Sequence, residues 1–418
     1  MNFLKDKFLS VSHDFRVTVR WIFIAAFIGT VVGLVGVLFH FITECAGEFR
    51  EEHPVIIWLL PAAGILIAFL YKIFKMENDR GTNLVIQSVN SDEQVRFRTA
   101  PLIFIGTSLT HLFGGSAGRE GAALQIGSAI ALAFKKPFRL DEKDKRILTM
   151  CGMSAAFSAV FATPVTAVIF PMEVISVGIM HYSALLPCAV ASFTGIMISR
   201  AFGMSATVFA LSGVPSLSIM NFMKTALLAS ICAVIGLLFC MSVKLTSRYL
   251  KRLLCNPLYR VAAGGLAVAI LTFIIGSHDY NGAGMNIIES AFSGRVRPEA
   301  FALKIVFTAL TLGAGFKGGE IIPTFFVGAA FGNVFGSLIG LSPSYSAGIG
   351  LCALFCSVTN SPLTSIILAV ELFGSEGLPF FVIAAALSYV LSGYYGLYTS
   401  QKIVYSKTKT EFIDTYSL

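Results

Sequence analysis

The chain is 418 residues long, 56% hydrophobic and only 13% charged, with a formal net charge of +8. Its mean hydropathy of +0.79 excludes a soluble globular fold, because no interior of that size hides so much apolar surface and lipid must cover it. The basic loops at 135–146 and 244–252 carry no arginine-rich face with aromatic platforms, so they fit the positive-inside bias of a membrane protein and exclude nucleic acid as a partner.

Residues 1–20 are charged throughout and have neither a compact apolar run nor a small-residue cleavage site, so they are not a signal peptide. Phe3, Leu4, Phe8, Val11, Phe15 and Val19 recur at helical spacing between Lys5, Lys7, Arg16 and Arg20. This predicts a cytoplasmic interfacial helix. Apolar stretches at 21–43, 55–75, 184–204, 223–243, 262–275 and 380–397 approach spanning length, while those around Gly118, Gly319 and Gly332 are short or broken by glycine. The expected product is an all-α, multi-pass membrane protein with halves at 21–215 and 216–405, followed by a short tail at 406–418 with no appended cytoplasmic regulatory (CBS) module.

The halves repeat each other in order. Gly81-Thr82-Asn83-Leu84-Val85-Ile86 matches Gly284-Met285-Asn286-Ile287-Ile288-Glu289, and 98–115 runs parallel to 297–315. Gly118-Arg119-Glu120-Gly121 answers to Gly318-Gly319-Glu320, and Gly127-Ser128-Ala129 to Gly328-Ala329-Ala330. Thr163-Pro164 leads to Glu173, as Ser361-Pro362 leads to Glu371. Aligning Glu120 with Glu320 gives an offset of 200, and Pro164 with Pro362 an offset of 198. Such repeats, with short glycine-interrupted segments in matching places, mark transporters built around a midplane site. Whether the repeat is parallel or inverted depends on the number of crossings per half, which the sequence leaves open.

The glutamates need a reason to lie in apolar segments. Glycines at 115, 118 and 121 free the backbone to leave the helix and expose N–H groups. A helix starting there aims its positive dipole end at the break, which binds an anion without a trapping ion pair. The Glu120 carboxylate is itself an anion and can occupy the site it guards. Protonation removes its charge and releases it, so anion occupancy and proton binding are linked at one residue. Pairing with Arg119 is a poor alternative if both lie on a helix, where adjacent side chains diverge. Glu173 and Glu371, symmetrically placed, are expected to cap neighbouring helix N-termini. For Glu320, a salt bridge to Lys317 and a place in the ion path are both open.

The eight cysteines are scattered, and no histidine or carboxylate stands at ligand spacing from Cys352 and Cys356. They read as packing residues, and neither a metal nor another cofactor is expected. The six histidines are isolated; His111 reads as a buried, backbone-bonded residue rather than a proton carrier. With no HExxH, no convincing GxSxG elbow and no aspartate-rich metal motif, an intramembrane enzyme is not expected. A sodium-coupled solute carrier with broken helices would also use glycine-interrupted repeats; uptake of an organic solute would separate it from an anion transporter.

At these residues the chain resembles the CLC family of anion channels and proton-coupled anion antiporters, over nearly its whole length. Gly118-Arg119-Glu120-Gly121 is similar to the family's GK/REG motif, whose glutamate is the gate. Gly318-Gly319-Glu320-Ile321-Ile322-Pro323 is similar to its GGxFxP segment, and Gly396-Leu397-Tyr398-Thr399-Ser400-Gln401 to the segment whose tyrosine contacts the central anion. The resemblance implies two inverted halves with tilted, broken helices and a homodimer in the cell membrane. It implies Glu120 as gate and proton carrier, and an anion path at Thr82, Asn83, Gly118, Arg119, Gly121, Gly319, Glu320, Ile321 and Tyr398. Four departures look like the fluoride-exporting branch. Gly81-Thr82-Asn83-Leu84 replaces GSGIP, Ile321 stands for the phenylalanine of GxFxP, Val174 for an internal proton glutamate, and Glu320 for an apolar residue. That branch commonly carries a methionine where Thr82 stands, and a threonine hydroxyl donates to fluoride or chloride alike. Export of fluoride against protons is therefore the first expectation, and chloride transport, coupled or passive, the alternative.

Overall fold

A computed structural model describes residues 2–91, 93–205 and 208–418, with side chains from Phe15 onward. Sixteen α-helices appear among the described residues, eight in each half. In the first half they are α1 (Asn2–Glu52), α2 (Leu60–Ile73), α3 (Thr82–Asn90), α4 (Thr99–Leu112), α5 (Glu120–Ala133), α6 (Glu142–Phe161), α7 (Pro164–Val174) and α8 (Leu185–Ala201). In the second they are α9 (Ile219–Leu253), α10 (Pro257–Ile275), α11 (Met285–Ser293), α12 (Ala300–Ala314), α13 (Ile321–Leu338), α14 (Pro343–Thr359), α15 (Pro362–Phe373) and α16 (Leu378–Leu391). Six helices are long and apolar enough to cross a bilayer, α13 among them, whereas α4, α5, α7, α12, α14, α15 and α16 are shorter and apolar.

Local chemistry sets the boundaries. Proline opens α7, α10, α14 and α15, where its missing N–H costs nothing. Asp141 starts α6 with a capping box, its carboxylate accepting from Asp144 N at 2.7 Å. The exits of α6 and α14 match as well: Ala162 (φ 58°) and Asn360 (φ 56°) both end their helix in the left-handed region.

The sequence expectation of a separate helix over 1–20 is corrected. The backbone is helical without a break from Asn2 to Glu52, and Arg20 donates to the carbonyls of Phe138 and Arg139. The apolar face expected at Phe3, Leu4, Phe8 and Val11 lies outside the described side chains. The tail at 406–418 is also no free appendage. Phe412–Tyr416 (β3) pairs antiparallel with Lys402–Tyr405 (β2), which runs parallel to Ser176–Val177 (β1). Among the described residues this small sheet holds all three β-strands of a chain otherwise built of helices.

The halves are inverted. The Glu173 carboxylate accepts from Leu363 N, Thr364 N and Thr364 Oγ1 at 3.0, 2.8 and 2.6 Å. The Glu371 carboxylate accepts from Val165 N, Thr166 N and Thr166 Oγ1 at 2.9, 2.8 and 2.6 Å. Each glutamate at the end of one proline-started helix thus caps the start of the other, as expected, so α7 and α15 are antiparallel. A two-fold axis perpendicular to two such helices turns one half over relative to the other.

The structure also corrects the register of the repeat. Gly118 and Gly319 form an antiparallel backbone bridge across the axis, and α5 starts at Glu120 where α13 starts at Ile321. The offset here is 201, so Glu120 corresponds to Ile321, and Glu320 to Arg119. The two helix-start residues agree in backbone conformation: Arg119 lies at φ −111°, ψ −18° and Glu320 at φ −94°, ψ −14°. The offset falls to 198 by the prolines because α14, with 17 residues, is three shorter than the 20-residue α6.

Candidate anion site at the paired helix starts

Two broken segments meet at the axis. Gly118 N donates to Gly319 O at 2.7 Å, and Gly319 N to Gly118 O at 2.6 Å. The approach demands glycine: a Cβ on Gly319 would lie 2.6 Å from Gly121 N, and one on Gly318 2.5 Å from the Ala117 Cβ. Immediately after this bridge α5 and α13 begin, so both positive helix ends, with first-turn N–H groups that have no intrahelical partner, converge on one place. Behind them α5 packs on α6 so closely that a Cβ on Gly127 would sit 2.1 Å from Gly152 O, which holds the helix start rigidly.

The Glu120 carboxylate lies folded over this junction. Its Oε2 accepts from Arg119 N at 3.0 Å and would lie 2.7 Å from a Cβ built on Gly118. The residue is 1% exposed. Arg119 does pair with it, Nε to Oε1 at 3.7 Å, contrary to the sequence expectation. The divergence argument assumed both residues were helical, and Arg119 is the residue before the helix.

Around the carboxylate the predicted residues fall into two groups. Thr82, Gly121, Glu320 and Tyr398 come together. Glu320 Oε2 and Thr82 Oγ1 would each lie 3.4 Å from a Cβ on Gly121, and Tyr398 is within electrostatic reach of Glu320, Cys240 and Glu120. Glu320 Oε2 and the Tyr398 hydroxyl are both buried without a hydrogen-bond partner among the described residues, as groups awaiting a ligand would be. Ile321 is wholly buried as the first residue of α13 and contributes backbone only. Asn83 belongs to the second group. Its Oδ1 accepts from Ser400 N at 2.9 Å and Thr399 Oγ1 at 3.4 Å, so its carboxamide anchors the segment carrying Tyr398.

Lys317 does not pair with Glu320. Its Nζ meets Asp79 Oδ2 at 3.3 Å and lies 4.0 Å from the centre of the Tyr71 ring, which leaves the Glu320 carboxyl to the interior. Sequence reasoning also missed Gln125, whose Nε2 bridges Thr82 Oγ1 (3.3 Å) and Gly121 O (3.2 Å). Its place one turn after Gly121, on the face that looks back at the helix start, was the available signal.

A cavity of about 640 Å³ reaches this junction, lined by Arg119, Glu120, His111 and Arg50 together with Glu44 and Glu48 of α1. The acids lie at the end of α1 opposite the basic loop at 135–146, to which Arg20 is tied, the end that the positive-inside bias expects to face outward. A smaller cavity of about 350 Å³ lies by Glu173, Asn360 and Tyr389.

Residues 63–393 match the family model described as voltage gated chloride channel. The chain is 36% identical over 395 residues to a chloride/fluoride channel protein of Pseudomonas syringae pv. tomato, covering 93% of this chain and 87% of that protein. It is 27% identical over 385 residues to the H(+)/Cl(-) exchange transporter ClcA of Salmonella schwarzengrund, covering 84% and 80%. A crystal structure of a CLC-type fluoride/proton antiporter superposes with a TM-score of 0.88 at 35% identity, over 92% of this chain and 98% of that one. With two inverted halves, broken helices that meet at the axis and a match across most of its length, this chain is a multi-pass membrane protein of the voltage-gated chloride channel, or CLC, family.

Proposed function

We propose that this protein is a proton-coupled halide antiporter of the cell membrane, working as a homodimer, that exports fluoride. Glu120 is its gate and proton carrier. The observation that carries the reading is the position of the Glu120 carboxylate, buried and accepting the Arg119 amide at the place where two helix starts converge. A carboxylate there mimics an anion. When a proton neutralises it, the amide loses its anionic partner, the side chain leaves, and a halide takes the vacated donors.

The surroundings favour a small, strongly hydrated anion. Such an ion needs several short hydrogen bonds to replace its water. The Tyr398 hydroxyl and the amides at the starts of α5 and α13, Arg119 N and Ile321 N among them, supply donors, and the Thr82 hydroxyl, which donates to Gly121 O at 3.4 Å, joins them by turning. Glu320, wholly in the interior, adds an O–H donor when protonated, a contact that a small hard anion uses best. The relatives named for fluoride, at 35% and 36% identity, support this choice. Chloride is the second reading. Thr82, whose hydroxyl donates to either ion, and the likeness to the H(+)/Cl(-) exchange transporter favour it.

Purified protein in liposomes with simultaneous halide and pH electrodes tests both. The reading expects fluoride efflux at least about tenfold faster than chloride efflux, equivalent to ~1.4 kcal/mol of discrimination, with protons moving the other way. Equal halide rates overturn the fluoride assignment, and halide flux without proton flux overturns coupling.

A further inference from the structure

The gate needs somewhere to go. Leaving the junction, the Glu120 side chain enters the outer cavity, carrying a proton that must be bonded. The cationic groups near that route offer no acceptor: Arg50, Arg119 and Lys304 only donate. Lys304 is moreover spent on the carbonyls of Tyr280 and Gly282. The acids lining the cavity, Glu44, Glu48, Glu51 and Asp279, include two that are already engaged. Glu44 faces His40 at 3.1 Å, and Glu51 faces Arg50 at 3.5 Å. Glu44, Glu48 and Glu51 are all exposed to solvent. His278 lines the same cavity.

Among the described residues lining the cavity, one buried side-chain acceptor has no partner. His111, at the end of α4, is 5% exposed and lines the cavity. Its Nε2 is buried with no partner among the described residues. In the neutral tautomer that carries its proton on Nδ1, Nε2 presents a lone pair.

We propose that His111 Nε2 is the docking acceptor for the protonated, outward-swung Glu120 carboxyl, and so makes outward opening selective for the protonated gate. A neutral carboxyl donates its O–H to that lone pair. An ionised carboxylate has no hydrogen to give and meets acceptor against acceptor. His111 is thus a positioning residue: it touches neither the anion nor the resting carboxylate's partners. This rests on Glu120 being the gate.

The test uses the full chain in liposomes, measuring halide-driven proton flux against external pH. His111→Met removes the acceptor. It should move the pH midpoint of flux about 0.5–1 unit toward acid, the range that one net hydrogen bond gives. His111→Gln, whose side-chain carbonyl also accepts, should hold a midpoint nearer the parent. In a Glu120→Ala background, His111→Met should leave halide flux unchanged, because the docked group is gone. An unshifted midpoint, or an equal effect of His111→Met with and without Glu120, overturns the proposal. Proton coupling that survives Glu120→Ala alone would instead overturn the gate assignment, and the two failures are thereby distinguished.

Discussion

Arg119-Glu120 and Glu320-Ile321 stand at the same two backbone positions of two inverted copies, and they carry opposite chemistry. In the first copy the residue before the helix is a partly exposed cation and the first helical residue is a carboxylate lying over the amides. In the second, the residue before the helix is the carboxylate, with a buried unpartnered oxygen, and the first helical residue is a buried isoleucine. The contrast shows a division of labour. The shared backbone makes the junction of helix starts, because the converging helix ends and the Gly118–Gly319 bridge depend on glycines and symmetry alone. The side chains break the symmetry.

The largest expected effect breaks the asymmetric partner. Glu120→Gln keeps the size of the side chain but cannot carry a proton, so halide-driven proton flux in liposomes should fall to background. Proton pumping against a halide gradient in that variant would show that the carrier lies elsewhere.

Next come the elements the copies share. Glu173 and Glu371 cap each other's helices with matching distances, so Glu173→Gln and Glu371→Gln should each destabilise the folded protein by about 1–3 kcal/mol, since one oxygen then serves donors that had two. Glu173 is 7% exposed and Glu371 is only partly buried, so the loss should be greater at Glu173. Thermal unfolding in detergent measures it. A larger loss at Glu371 would mean that burial does not set the scale.

The smallest effect on the fold sharpens the comparison at the site. The Tyr398 hydroxyl bonds to nothing among the described residues, so Tyr398→Phe should leave the melting temperature within error of the parent. It should still slow halide flux, by roughly tenfold for about 1.4 kcal/mol of lost donation. Unchanged flux would remove Tyr398 from the path.

Much of this was legible in the chain. Glu120, Gly118 and Gly319 were singled out by type and spacing and Tyr398 by family resemblance, and the capping role of Glu173 and Glu371 by their symmetric placement. What failed did so for local reasons. The register slipped by one because Glu120 and Glu320 share a letter, while geometry aligns helix starts and not identities. The poor-pairing argument for Arg119 held for a helix, and Arg119 precedes one. Lys317 had an acid three residues away in sequence, but Asp79, far away in the chain, lies closer in space. Asn83 matched a binding loop by position, yet spends its oxygen on Ser400.

Composition and repeat by themselves determined a membrane protein of two related halves with a carboxylate at a broken helix, since hydropathy, glycine spacing and proline positions act through local sterics and transfer energy. Only the tertiary structure decided that the halves are inverted, which helix each glutamate caps, and which polar atoms are left without partners inside. Those facts depend on contacts between residues some 200 positions apart, and no local preference encodes them.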